Sequence, residues 1–291
     1  MVKKNFDVLS LIAAALMMIS ACIGIFYSNG GSRFEVVNTY GEKNYLFGDG
    51  IYAHDTILKA ATGKGTDITM LIVGILIVAG VLLERKYLWI QFVKVSLLSG
   101  LLYHAICLVT EFSFNRIFIL YLVLFGTALY SFIWNLAGLM KQEPYPKSVY
   151  EKRFTGPLIT IFLGGCSTLC WMIFFILPAT LSGDIIGSID ALEIYTTVPT
   201  FAIDLGVILP ACILSAVWLY KKDRRGYILT PILLVLLALV GIMVIVQTCV
   251  QNYYGITLPI PQLIGLVGTF SILGGVAIPF AVKFLKLVKT Q

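Results

Sequence analysis

Apolar residues form long runs that follow one another along nearly the whole chain, with short polar connections between them. A bilayer core about 30 Å thick needs about 20 mostly apolar residues in each helix that crosses it. Eight stretches meet this requirement, at approximately 8–28, 68–84, 87–110, 116–140, 157–181, 199–220, 227–250 and 261–284. The alternating segments of a membrane barrel are not visible. The pattern predicts an all-α polytopic membrane protein with a single membrane domain over residues 1–291.

The amino-acid composition agrees with this class and excludes others. The chain is 59% apolar and 12% charged, whereas soluble domains are about 45–50% apolar and about 25% charged. An intrinsically disordered chain is excluded, because disorder requires low hydrophobicity. A small disulfide scaffold is excluded by the length of 291 residues.

Basic residues are distributed unevenly over the connections between the predicted spans. With the N-terminus in the cytoplasm, the inner segments hold 15 of the 21 Lys and Arg residues and the outer segments hold 5. Lys and Arg favour the cytoplasmic side of membrane proteins. We therefore expect a cell-membrane (plasma or inner membrane) protein with both termini cytoplasmic. The basic run 221–225 predicts contact with anionic lipid headgroups at the inner face, and not with nucleic acid. The oligomeric state stays open.

Two interpretations of the N-terminal segment stay open. Residues 19–22 (ISAC) resemble the site at which bacterial lipoprotein signals are cut, and cleavage there would leave a lipidated Cys22 and seven spans. The apolar run nevertheless continues through Cys22 to Tyr27, which gives the full spanning length rather than a short signal core. This length favours a retained first helix.

The longest connection, residues 29–67, is predicted to form a small extracytoplasmic cap. Residues 34–40 and 45–47 are short β-prone runs on either side of a turn-rich segment, which predicts a β-hairpin. A connection of this length is also expected to carry local structure or function.

A short helix is predicted after the hairpin. Asp55 is expected to cap a helix over 56–62, and Gly63 is expected to end it. Asp67 is then expected to cap the second span, since a carboxylate at a helix N-terminus accepts hydrogen bonds from unpaired backbone N–H groups.

The cap and parts of the spans resemble a group of uncharacterised bacterial multi-pass integral membrane proteins. The residues that carry the resemblance are the stretch 48–55 (GDGIYAHD), Ala60, Ala61, Asp67, Tyr103 and the stretch 204–206. The resemblance implies a shared fold and no chemistry. His54 departs from the group's pattern, in which another polar or aromatic residue is more usual, and this argues against a catalytic role for His54.

Ionisable residues inside spans are costly and are therefore candidate functional residues. Asp204 in the sixth span and His104 in the third fall at similar depths, so they form a candidate buried polar site in which they could pair. A structural hydrogen bond between helices is an equally good interpretation. Lys94 is expected to extend towards the inner headgroups. Pro210 is expected to kink the sixth span. A possible acidic vestibule above the pair consists of Asp67, Glu111, Glu193, His54 and Asp55.

No pattern in the sequence indicates a metal site or a cofactor. All six cysteines fall inside predicted spans, and the two histidines lie far apart in the chain. The leading hypothesis is binding or transport of a small solute or ion. The alternatives are a membrane-embedded enzyme acting on a lipid or quinone-like substrate, and a non-catalytic membrane subunit.

Overall fold

The computed structural model describes residues 2–39, 41–83, 87–183 and 192–289. Within these ranges, eight helices are long and apolar enough to cross a membrane. They are α1 (Val2–Phe26), α2 (Ile57–Leu83), α3 (Leu88–Thr110), α4 (Phe118–Met140), α5 (Thr155–Ser182), α6 (Pro199–Tyr220), α7 (Arg224–Tyr253) and α8 (Ile260–Lys286). A short helix, Lys147–Tyr150, lies between α4 and α5. The prediction of a mainly helical chain is confirmed for the described residues, with eight helices long and apolar enough to cross a membrane.

The second helix begins eleven residues earlier than the sequence predicts. Gly63 and Asp67 lie inside α2, so the predicted ends at these two residues are wrong. Gly63 allows close packing instead, because a Cβ there would lie 2.8 Å from the Phe112 ring and 2.9 Å from the Tyr52 ring. Asp67 points into the bundle, where its side chain is fully buried.

The start of α2 is capped by Thr56 and not by Asp55. The Thr56 hydroxyl accepts a hydrogen bond from the backbone N–H of Lys59 at 3.3 Å, which is the usual N-cap geometry. Asp55 instead accepts hydrogen bonds from the backbone N–H of Ser113 at 2.7 Å and from the Tyr195 hydroxyl at 2.9 Å. Asp55 thus links the segment before α2 to the connection between α3 and α4 and to the connection that precedes α6.

Residues 29–56, which we call the cap loop, contain the predicted hairpin. Strand β1 (Phe34–Val37) pairs antiparallel with β2 (Lys43–Leu46), with Phe34 opposite Leu46. Residue 40, at the end of the first predicted run, lies outside the described residues. We call the side of the bundle that carries this loop the cap end.

The eight long helices pack as two groups of four, and the two groups meet at α7. The first group consists of α1 to α4, and its core includes Met17, Met70, Leu101 and Leu124. The second consists of α5 to α8, and its core includes Ile161, Leu219, Leu234 and Phe284. Helix α7 also packs on α2 and α3, which joins the two groups.

Lys94 does not extend to the headgroups, so that prediction is wrong. Its side chain is only 2% exposed, and its Nζ lies 3.2 Å from Oδ1 of Asp7 on α1. Replacing Lys94 would remove this cation from the buried Asp7 carboxylate, which is costly. The pair therefore fixes α3 against α1.

Three of the spans contain π-helical turns, at Met172–Ile176 in α5, Asp204–Ile208 in α6 and Leu263–Gly268 in α8. The first two end two residues before Pro178 and Pro210. A proline removes a backbone donor and crowds the carbonyl of the preceding turn, which disturbs the regular helix there. The disruption expected at Pro210 thus takes the form of a π-helical turn, a feature frequent at functional sites.

Candidate functional site

A cavity of about 620 Å³ lies between the two groups of helices. Its wall is formed by residues of α2 and α3 on one side and of α5 to α8 on the other. Along α7 the lining runs from Leu233 to Gln251, a distance of about 27 Å at 1.5 Å per residue. The cavity therefore extends from the cap end past the middle of the bundle.

The cavity wall is polar towards the cap end and apolar towards the opposite end. The polar side chains near the cap end are Lys59, Thr62, Glu111, Glu193, Thr200 and Gln251. The apolar side chains at the far end are Ile161, Ile208, Leu233, Leu236 and Leu237. Ligand sites are typically apolar cavities with a few well-placed polar groups.

Asp204 lies in the wall between these two regions, on the π-helical turn of α6. One carboxylate oxygen accepts a hydrogen bond from the Tyr103 hydroxyl at 3.0 Å, and the other accepts one from the Trp171 indole N–H at 2.8 Å. An indole N–H can only donate, so Trp171 orients an acceptor oxygen. Among the described residues, no Lys, Arg or His side chain lies within ion-pair distance of this carboxylate.

His104 lines the same cavity but contacts a different carboxylate. Its Nε2 lies 3.5 Å from Oδ1 of Asp67, and the Tyr52 hydroxyl donates a hydrogen bond of 2.7 Å to the other oxygen of Asp67. The structure therefore brings the predicted pair, Asp204 and His104, to one cavity but gives each its own partner. Asp67 lies behind His104 and not in the cavity wall.

Two residues of the predicted vestibule line the cavity near the cap end. Glu111 forms a short ion pair with Lys59, and this charge lowers the pKa of Glu111 although burial acts to raise it. Glu193 accepts a hydrogen bond from the Thr56 hydroxyl, and burial raises the pKa of Glu193 above its ordinary value. Thr200 also donates to Glu111, at 3.1 Å.

The other predicted vestibule residues lie outside the cavity lining. Asp55 is fully buried in the contact between the cap loop and Ser113. His54 is exposed, and its ring lies edge-on to Phe34 with ring centroids 6.3 Å apart. His54 is therefore exposed to solvent and does not line the cavity.

Three aromatic rings that the sequence analysis did not select form a wall beside Asp204. Trp171 lies 5.7 Å from Phe175 and 5.3 Å from Phe201, measured between ring centroids, and Phe175 lies 5.9 Å from Phe201. All three line the cavity. The spacing of Trp171 and Phe175, four residues apart on one helix, is the signal that could have placed two of them on one face.

Among the described residues, no group of three His, Cys, Asp or Glu side chains is arranged to hold a metal ion. Comparisons of the chain with protein-family models, with curated proteins and with solved structures found no match. The role of each residue at the cavity must therefore be argued from its own geometry.

Proposed function

We propose that the protein binds a small organic solute in this cavity and carries it across the cell membrane. The observation that supports the proposal most directly is the cavity itself, with its polar wall near the cap end and its apolar far end. Pockets for small organic ligands occupy about 300–1,000 Å³, and the volume of about 620 Å³ lies in that range.

The lining favours an organic solute over a bare ion. A dehydrated metal ion requires several oxygen ligands around one point. In the cavity the carboxylates of Asp204 and Glu111 each have other hydrogen-bond or ion-pair partners. The far end offers aliphatic side chains such as Leu236 and Leu237, which would stabilise an apolar group and not an ion.

The helices on one side of the cavity are suited to move during transport. In the most apolar 18-residue stretch of each helix, only 28% is buried inside the bundle for α5 and for α6, and 17% for α8. The corresponding share for α3 is 67%. Each of the three loosely packed helices also contains a π-helical turn. Elements with few buried contacts open at the lowest free-energy cost. Helix α4 is also loosely packed, with 22% buried, but it contains no π-helical turn. We therefore infer that α5, α6 and α8 rearrange around a more fixed unit of α2, α3 and α7.

A cavity-filling substitution tests this function. Val240 on α7 lines the cavity, whereas Ile242 on the same helix is 50% exposed on the outer surface of the bundle. Val240→Trp should obstruct the middle of the cavity with a large ring, and Ile242→Trp is the matched control with the same added ring on the outer surface. Each protein is purified from its native membrane, extracted with methanol and analysed by mass spectrometry for molecules below the size of phospholipids.

The proposal predicts an organic molecule that is present in extracts of the wild type and of Ile242→Trp and depleted in extracts of Val240→Trp. That molecule should then exchange across proteoliposomes that contain the wild type but not those that contain Val240→Trp. Identical extracts from all three proteins, when all three are equally stable, would contradict a solute site in this cavity.

The contact between His104 and Asp67 supports a second candidate function. A carboxylate beside an imidazole is a common arrangement in acid–base sites. Since His104 lies in the cavity wall, the same space could serve a membrane-embedded enzyme acting on a lipid or quinone-like substrate. Lipid profiling of a deletion strain distinguishes the two functions. Accumulation of one lipid, reversed by the wild type but not by His104→Gln, would favour the enzyme.

A further inference from the structure

The charges in the cavity wall do not balance. Lys59 is engaged by Glu111, and its ammonium group also lies 5.4 Å from the centroid of the Tyr195 ring. Two further carboxylates, Asp204 and Glu193, line the cavity without a Lys or Arg partner among the described residues. An anionic wall attracts cations and disfavours anions, and the low dielectric of a buried site strengthens this selection.

The hydrogen bonds to Asp204 hold its carboxylate in position without neutralising it. Trp171 and Tyr103 approach the two different oxygens, and each carboxylate oxygen can accept a second hydrogen bond. The side chain is 7% exposed, so a group that entered the cavity would meet this carboxylate away from bulk water. A ligand cation could therefore pair with Asp204 while both protein donors stay in place.

The aromatic wall is adjacent to this carboxylate. Trp171, which donates to Asp204, packs against Phe175 and Phe201, and the ring planes are tilted by 35° to 43° to one another. Aromatic faces attract ammonium groups through the ring quadrupole, most strongly when the site is desolvated. Clusters of aromatic rings are the usual recognition device for alkylated ammonium groups.

We propose that the solute is an amphipathic organic cation whose ammonium group pairs with Asp204 against the Trp171, Phe175 and Phe201 rings. The apolar part of the solute extends towards Ile208 and Leu236 at the far end of the cavity. This inference rests on the proposed function, since it names the chemical class of the solute at the same site.

A series of probes with one apolar body and different polar ends tests the class. Phenylbutylamine and phenylbutyltrimethylammonium are cations at neutral pH, phenylbutanol is neutral, and phenylbutyrate is an anion. Binding is followed by the fluorescence of Trp171 in purified full-length protein in which Trp89, Trp134 and Trp218 are replaced by Phe. The phenyl group absorbs at shorter wavelengths than indole, so the signal reports on the protein.

The wild-type background should bind the two cations at least about tenfold more tightly than the alcohol, the ratio that corresponds to about 1.4 kcal/mol. Phenylbutyrate should bind most weakly. In Asp204→Asn, which keeps the size of the side chain and an acceptor oxygen, the amine and the alcohol should bind within about twofold of each other, because the ion pair is lost.

Two further variants test the hydrogen bond to Asp204 and the aromatic wall separately from the charge of Asp204. Tyr103→Phe removes one hydrogen bond to Asp204 but keeps its charge, so the preference for cations should persist. Phe201→Leu removes one aromatic face, so the trimethylammonium probe should lose more affinity than the amine, which retains its hydrogen bond to Asp204.

The possible outcomes distinguish this inference from the proposed function. Equal binding of the amine and the alcohol to the wild type, abolished by Val240→Phe, which narrows the cavity without adding a second tryptophan, would overturn the cation class and leave the solute site in place. A preference for cations that persists in a folded Asp204→Asn would overturn the role of Asp204. Absence of binding by every probe would overturn the cation class, and identical extracts in the Val240→Trp experiment would remove the solute site as well.

Discussion

Asp55→Asn should stabilise the docked cap loop at neutral pH. Asp55 is fully buried, and it accepts hydrogen bonds from the Ser113 amide and the Tyr195 hydroxyl through one oxygen, Oδ1. The other oxygen, Oδ2, is buried without a hydrogen-bond partner. Burial raises the pKa of Asp55 from its ordinary value of 3.8 to about 6, although both hydrogen bonds act to lower it.

The magnitude follows from this difference in pKa. A raised pKa in the folded state means that the docked loop binds the proton more tightly than the undocked loop does. The stabilisation by this proton is complete below about pH 4 and is lost as the pH rises through about 6. At 1.36 kcal/mol per pKa unit, the loss at pH 7.5 is about 3 kcal/mol.

An asparagine at position 55 retains the acceptor oxygen and carries no charge. Its amide N–H₂ would replace the unpartnered oxygen, which costs about 1 kcal/mol for a buried donor without a partner. We therefore expect a net gain of about 2 kcal/mol at pH 7.5 and a loss of about 1 kcal/mol below about pH 4, where the wild type is protonated. Hydrogen exchange of the Ser113 amide, measured over this pH range in lipid nanodiscs, reports the opening of this contact.

Asp49→Asn is the control with the opposite sign. The Ser28 hydroxyl and the Asn29 amide both donate to Asp49 at 2.9 Å, and the pKa of Asp49 is lowered although burial acts to raise it. This variant should weaken the cap loop at pH 7.5, and the difference from the wild type should shrink as the pH falls below the ordinary pKa of 3.8. Slower opening of the wild type than of Asp55→Asn at pH 7.5, or an unchanged pH dependence in Asp55→Asn, would refute the reasoning.

Three further predictions concern the fold. Gly24→Ala places a Cβ on the buried Asp67 carboxylate and should destabilise the protein by about 1–3 kcal/mol, whereas Gly126→Ala, which has open space, should not change thermal unfolding in detergent. Lys94→Met leaves the buried Asp7 carboxylate without this cation and should lower the free energy of unfolding by about 3–5 kcal/mol. Adding Asp7→Asn to this variant should restore part of the lost stability. Equal losses in the single and the double variant would contradict the ion pair. A reporter that works only in the cytoplasm should be active when it is inserted into the 221–226 loop, and activity there of a reporter that works only outside the cytoplasm would reverse the orientation.

The spans were predictable because they depend on local composition. The apolar run at 227–250 is long enough to cross a bilayer wherever its neighbours lie, and the structure places α7 over Arg224–Tyr253. The start of α2 was not predictable from Gly63 and Asp67, which are ordinary boundary signals. Their positions inside the helix depend on the packing of Gly63 against Phe112 and on the burial of Asp67.

The candidate site was predictable only in part. The cost of burying an ionisable group singles out Asp204 and His104 from the sequence, and both line the cavity. Depth along a helix does not determine which helices are neighbours, and α3 presents His104 to Asp67 on α2. The aromatic wall was not predicted, because Phe201 lies on a different helix and reaches Trp171 only through the packing of α5 on α6.

The central claim is that Asp204 anchors the charged end of a solute inside the cavity. A structure of the full-length protein in nanodiscs with bound phenylbutylamine tests it most directly. We predict that the amine nitrogen lies about 3 Å from a carboxylate oxygen of Asp204, with the phenyl group directed towards Leu236. An amine end at the Lys59–Glu111 pair, or a probe found only on the lipid-facing surface, would contradict the claim.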